Sequence, residues 1–202
     1  MTGNKVHLAV APFVAALVIV LAGCGAETSP ASAGSSVAAP APTPSNSPLP
    51  PRPAELRLNA VDPCALLTTA QQGQLGVKAA LSGNDGDELG SAACLWGNNG
   101  GKPDNRWVAR LIVKRSADYA LGSTTGVQVV QVDGFSAVQT AAPYQDPNTN
   151  CVLVVDVAQG QSLGVQYLNL AGDYPGISHD MACQLDRKAA ELMVRNLRAL
   201  AR

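Results

Sequence analysis

The sequence predicts an α+β domain: an antiparallel sheet of about five to six strands, with a short N-terminal helix and a longer C-terminal helix on one face. Three observations point there. A run of short β-branched or aromatic segments is punctuated by Gly, Asn, Asp and Pro, a long apolar stripe at helical spacing closes the chain, and a capped helix start precedes the first strand.

In chain order, Asp62-Pro63 opens the first helix, because Asp accepts from free amides and Pro at the first helical position forfeits no needed donor. Thr68 and Gln71 have capping-box spacing and Gly76 offers a stop. Gln71, Gln72 and Gly73 give this helix little intrinsic strength, so tertiary contacts must hold it. Strand-like segments follow at 92–96, 107–113, 127–132, 135–140, 151–158 and 163–168. The last two read as a hairpin around Gln159-Gly160, and Leu163, Val165 and Tyr167 alternate with Gly164 and Gln166, predicting one covered and one wet face. The final helix carries Leu185, Ala189, Leu192, Met193, Leu197 and Leu200 as its apolar stripe. Asp186, Arg187, Lys188, Glu191, Arg195 and Arg198 are assigned to its other faces.

The 202 residues suffice for one domain plus an export signal and a tether. Residues 1–23 have a polar start with Lys5 and His7, an apolar stretch from Leu8 to Leu21, and small residues Ala22 and Gly23 before Cys24. The apolar stretch falls short of the roughly 20 residues of a membrane span, so cleavage is expected rather than anchoring. Leu21-Ala22-Gly23-Cys24 resembles a bacterial lipobox. The resemblance implies cleavage between Gly23 and Cys24, with fatty chains on Cys24; two or more chains, at about 0.8 kcal/mol per buried CH₂, hold a protein stably at a membrane. Residues 24–56 are then the lipidated Cys and a Pro/Ala/Ser-rich tether, expected to be disordered and to span between roughly 30 Å as a coil and roughly 100 Å extended. The folded domain is expected over 57–202.

Formal net charge is −1, and loss of the leader leaves 13 basic and 15 acidic residues. Without a basic run or stripe, a nucleic-acid partner is not expected. Four further cysteines, Cys64, Cys94, Cys151 and Cys183, form an even set that an exported chain spends on disulfides. Of the three connectivities, the sequential one pins the first helix to the first strand and the hairpin to the last helix, each closing a loop worth about 3.6 kcal/mol in the chain-entropy model. Their spacing lacks the short pairs of a zinc site, so no metal or other cofactor is expected.

Asp62-Pro63-Cys64-Ala65-Leu66-Leu67-Thr68, then Cys94-Leu95-Trp96, then Cys151 in a strand and Cys183 in the last helix, resemble a family of actinobacterial lipoproteins with a domain of unknown function, including the LprB/LprC type of mycobacteria. The likeness covers roughly 57–202 and supports the sequential pairing. It implies a place on the extracytoplasmic face of the cell membrane and no assigned activity.

His179 next to Asp180 is the remaining histidine once the leader is gone. A Ser-His-Asp site is formally available, but no G-x-S-x-G elbow accompanies it, and a capping or solvated role fits a helix start better. Asn84-Asp85-Gly86-Asp87-Glu88 departs from EF-hand spacing and reads as an exposed turn, and the stretch 97–101 reads as a hairpin loop. Trp96 and Trp107 are assigned to the core. Tyr144 and Tyr174, in loops rich in Pro, Asp and Asn, are the candidate contact residues. The expectation is a non-enzymatic envelope module that binds or scaffolds a protein, glycan or lipid; the alternatives are an envelope hydrolase near His179 and a lipid or glycolipid carrier with a cavity between sheet and helices.

Overall fold

The structure, a computed structural model, describes residues 47–84, 91–98, 104–122, 127–141, 150–170 and 177–201. Its scaffold is one antiparallel sheet of β1 (Ala79–Asn84), β2 (Ala92–Gly97), β3 (Asn105–Ile112), β4 (Gln128–Val132), β5 (Phe135–Thr140), β6 (Asn150–Ala158) and β7 (Gln161–Asn169), in the order β1-β2-β3-β7-β6-β5-β4. Two three- and four-stranded meanders, β1-β2-β3 and β4-β5-β6-β7, meet where β3 pairs with β7. The chain passes between them through a 3₁₀ segment, Ala117–Gly122.

Local chemistry sets the turns. β4 and β5 join through Asp133 and Gly134, both at positive φ (49° and 85°), the pairing of a type I′ turn whose twist matches the strands it connects. Gly160, at φ 70°, serves the β6–β7 turn, so the hairpin lies where the sequence places it. All six expected strands are present within a few residues.

The seventh, β1, has no counterpart among the expected segments. Its residues, Ala-Ala-Leu-Ser-Gly-Asn, have little β propensity, and pairing with β2 makes them a strand. The first helix also differs from expectation. Pro63–Leu66 is a 3₁₀ turn capped by Asp62, and α1 (Thr69–Gln74) starts afresh, because Thr68 adopts extended backbone and its hydroxyl accepts from the Gln71 amide.

Alternation divides the sheet into two faces. The helix face carries Cys94, Trp96, Trp107, Ala109, Leu111, Leu153, Val155, Leu163, Val165 and Tyr167 into one cluster with the final helix, α2 (His179–Leu200). Trp96, Trp107, Tyr167 and Cys151 form one cross-strand row over β2, β3, β7 and β6. All four are at most 1% exposed, so the row is a core layer rather than a stacking surface. α2 presents a different stripe from the one the periodicity selects. Ala182, Cys183, Asp186, Ala189, Ala190, Met193, Val194 and Leu197 are buried, whereas Leu200 is 45% exposed and Asp186 is fully enclosed. The Cys183 bridge fixes this rotation. Asn196 then donates through Nδ2 to the Leu66 carbonyl (2.8 Å) and to Gln71 Oε1 (2.7 Å), tying α2 to the two short N-terminal turns.

The opposite, crossover face packs Ala117 and Ala120 of the 3₁₀ segment against Val138 and Val154, together with Leu49. The folded body therefore begins earlier than residue 57. Leu49 and Leu56, placed by the sequence in the tether, are each 6% exposed. The reason is that a Pro-rich chain is already extended and can lie along a sheet without supplying ladder donors. This arm runs from Ser47 over the crossover face, donates from the Leu56 amide to the Val157 carbonyl (2.8 Å), and delivers Leu56 and Leu58 to the helix-face core.

Candidate functional site

Chemistry-bearing side chains gather in two places among the described residues, one on each face. On the helix face, His179, Cys183 and Asp186 follow one another at helical spacing along α2 and meet β6. Cys183 is bonded to Cys151, with Cα atoms 5.0 Å apart. One turn earlier, His179 Nδ1 lies 3.0 Å from the Asn150 carbonyl oxygen. A carbonyl only accepts, so Nδ1 carries the proton and Nε2, 3.6 Å from Cys183 Sγ, faces the disulfide. Asp180 is exposed in the first turn, where its charge suits the helix N-terminus. Among the described residues no serine or threonine hydroxyl is hydrogen-bonded to His179, so the geometry of a nucleophile and its base is not assembled there.

Asp186, one turn beyond Cys183, is 0% exposed, and neither carboxylate oxygen has a hydrogen bond of good geometry. Burial pushes its carboxyl well above the usual range, against the opposing pull of Arg110 and the Leu153 amide. The protonated acid is thereby favoured, and an enclosed carboxyl avoids most of the desolvation cost that a charge would carry. Beside this stripe, Tyr167 donates to Asn105 Oδ1 (2.6 Å), and burial pushes its phenol up to about 12.

On the crossover face, Asp156 stands in the apolar run of β6 and is 1% exposed. Arg52 of the arm reaches it with Nη1 to Oδ2 at 2.7 Å and bonds Glu55 through Nη2 at 2.9 Å. Glu55 Oε2 in turn accepts from the Gln159 amide (2.8 Å). Burial raises the Asp156 carboxyl despite Arg52, while two acidic partners raise the Arg52 guanidinium in spite of its own burial. The arrangement is a clasp that holds the arm to the end of the β6–β7 hairpin.

The second disulfide, Cys64–Cys94, joins the first 3₁₀ turn to β2 with Cα atoms 5.1 Å apart. The connectivity is thus sequential. Gly23 and Cys24, the acidic stretch 85–88, and the contact candidates Tyr144 and Tyr174 lie outside the described residues. Their flanks are described. Thr140 and Asn150 bound the connection that carries Tyr144, and Asn169 and Ile177 bound the one that carries Tyr174. Register places Thr140 beside Val152, Asn150 beside Leu168 and Asn105 beside Asn169, so these connections leave from one end of the sheet. Among the described residues no group of three or more His, Cys, Asp or Glu is placed to hold a metal ion, and no helix is long and apolar enough to cross a membrane.

Sequence reasoning passed over Arg52, Asp156 and Asp186. Each left a signal: Arg52 is a lone cation in a Pro/Ala/Ser stretch with Glu55 three residues on, Asp156 interrupts Val-Leu-Val-Val, and Asp186 sits one helical turn from a bridged cysteine.

A model of a family described as a protein of unknown function, DUF3558, matches residues 19–196. The match takes in most of the chain, and the chain belongs to that family. No curated protein and no solved structure matches.

Proposed function

We propose that this member of the family is a lipid-anchored envelope module of the LprB/LprC mycobacterial type, held by Cys24 on the extracytoplasmic face of the cell membrane, that binds or scaffolds a protein, glycan or lipid without catalysing a reaction. The observation that carries the binding half is the common end of the sheet from which the connections bearing Tyr144 and Tyr174 depart. Loops grouped at one end of a rigid sheet are where such scaffolds place their contacts. The anchoring half is supported by the Leu21-Ala22-Gly23-Cys24 segment, which falls inside the stretch shared with the family. The paired cysteines fit an oxidising compartment. The titratable groups fit a structural role: His179 on a backbone carbonyl, Asp156 on Arg52 and Asp186 enclosed.

Mass spectrometry of the protein from its native membrane tests the anchor: an acylated N-terminal Cys24 is expected, and an intact leader or an unmodified Cys24 thiol overturns it. A photo-crosslinking residue at position 144 or 174 is expected to capture one recurrent partner in living cells. Capture from neither position, or a hydrolytic activity abolished by His179→Ala in a chain that keeps its fold, overturns the binding reading.

A further inference from the structure

We infer that two copies exchange their arms, residues 47–59 of each seating on the sheet of the other. The inference is independent of the anchor and of the loop contacts proposed above.

The occupant of the seat is in view: it is this chain's own arm. Leu49, Arg52 and Glu55 recur every third residue, the period of an extended proline-rich chain, so all three meet the sheet while Pro50, Pro51, Pro53 and Ala54 stay exposed. Leu49 sits against Ala117, Ala120, Val138 and Val154, and Ser136 Oγ donates to the Pro50 carbonyl (3.4 Å). Farther along, the Leu58 amide donates to Gln161 Oε1 (2.8 Å), and Gln161 Nε2 donates to Asn59 Oδ1 (2.6 Å). With Asp156, Val157 and Gln159, all of these partners lie between Ala117 and Gln161, and β1, β2 and β3 separate them from the arm along the chain. The seat therefore reads a segment, and the same segment on another copy satisfies it equally.

The hinge favours the exchange. The Val61 amide donates to the Leu58 carbonyl (3.1 Å), closing a four-residue turn whose third residue, Ala60, is held at φ 66°. Positive φ at that place calls for glycine or asparagine, and Asn59 stands one position too early. An alanine there brings its Cβ against the backbone, a strain carried by every closed molecule. Ala60 is exposed, so burial of its methyl does not offset the strain. Opening the turn to extended backbone removes it and directs the arm away from its own body; strained hinges of this kind invite the swapping of an element between copies. The first bridged cysteine, Cys64, follows the hinge, so neither disulfide ties the arm down.

Exchange keeps the arm contacts, Leu56 and Leu58 included, so the closed molecule and the exchanged pair differ chiefly in hinge strain and in the entropy of association. The joint is reciprocal and closes after two copies. The pair therefore forms where copies are concentrated.

The test joins arm to seat. Glu55 and Gln159 are both exposed and meet through the Gln159 amide. The full chain carrying Glu55→Cys and Gln159→Cys, expressed in its native envelope, is treated with a short bis-maleimide, and bridges between positions 55 and 159 are mapped by mass spectrometry. A closed molecule bridges within one chain and an exchanged pair bridges between two, and both products are expected. Adding Ala60→Gly, which relieves the turn and leaves every arm contact in place, is expected to cut the between-chain share about tenfold, since two hinges contribute. Ala60→Val, whose branched side chain tolerates positive φ still less, is expected to raise it. Bridges found only within single chains, bridges from position 55 to a different protein, or a between-chain share indifferent to residue 60 overturn the inference.

Discussion

The two faces of the sheet are covered by different physics. The helix face is closed by area: four aromatic residues, Leu, Val and Met side chains and two disulfides exclude water over almost its whole extent. The crossover face is closed by small residues and one clasp. Ala117, Ala120, Leu49, Val138 and Val154 make a slight apolar contact, and Arg52 and Asp156 secure what that contact alone holds weakly. Burial is spread over many residues and tolerates the loss of one. A buried ion pair concentrates its effect in two side chains, and removing either leaves a charge enclosed without its partner.

The most damaging change should fall on the helix face. Replacing Cys151 and Cys183 together by alanine is expected to lower unfolding free energy by about 4 kcal/mol, read from urea denaturation, since the loop they close spans a sequence separation of 32. A smaller loss than that of the clasp variant would reverse the ranking of the faces.

Arg52→Met comes next, at about 3 kcal/mol near neutral pH. Its deficit should shrink as the solution is acidified, because burial already raises the Asp156 carboxyl and protonation removes the unpaired charge. A deficit that is constant with pH would show that the arm is held by packing alone.

Asp186→Asn sharpens the comparison within the helix face. A carboxyl whose folded pKa is raised binds its proton more tightly folded than unfolded, so its contribution is full below the unfolded value and is lost as pH rises through the folded one. Burial raises Asp186 well above 3.8, so wild-type stability measured against the variant should fall progressively from that pH upward. A pH-independent difference would mean that the carboxyl titrates alike in the folded and unfolded states, so that burial does not raise it. The smallest effect is expected from Glu55→Gln, at about 0.5 kcal/mol or less, because Glu55 is the exposed member of the clasp.

Much of the fold was legible because strands with an apolar core and helices with caps announce themselves locally. Six strands, the Gln159-Gly160 turn and the α+β class follow from β-branched runs and turn residues alone. β1 was not legible, since nothing in Ala-Ala-Leu-Ser-Gly-Asn prefers extension until β2 lies beside it. The arm resembles a tether in sequence because proline speaks against ladders and helices; it does not speak against packing, and Leu49 and Leu56, each 6% exposed, are the residues that pack. The rotation of α2 depends on where Cys151 stands in space, which no one-dimensional period contains, and so the burial of Asp186 escaped it. For the candidate site the sequence located His179 and the four bridged cysteines, while Asp156, the buried partner of Arg52, lies 104 residues away along the chain, beyond any local pattern.

The clasp also has a mechanical meaning. Tension applied to the polypeptide at Ser47 reaches the sheet through Leu49, Arg52 and the Leu56–Val157 bond in that order, along the surface rather than across the strand ladders. A pull strong enough to do damage therefore peels the arm first and frees about ten residues, at roughly 3.3 Å each when drawn out. Both disulfides lie downstream of that point in the load path, so the body beyond the arm can survive the event and re-fasten when the force relaxes.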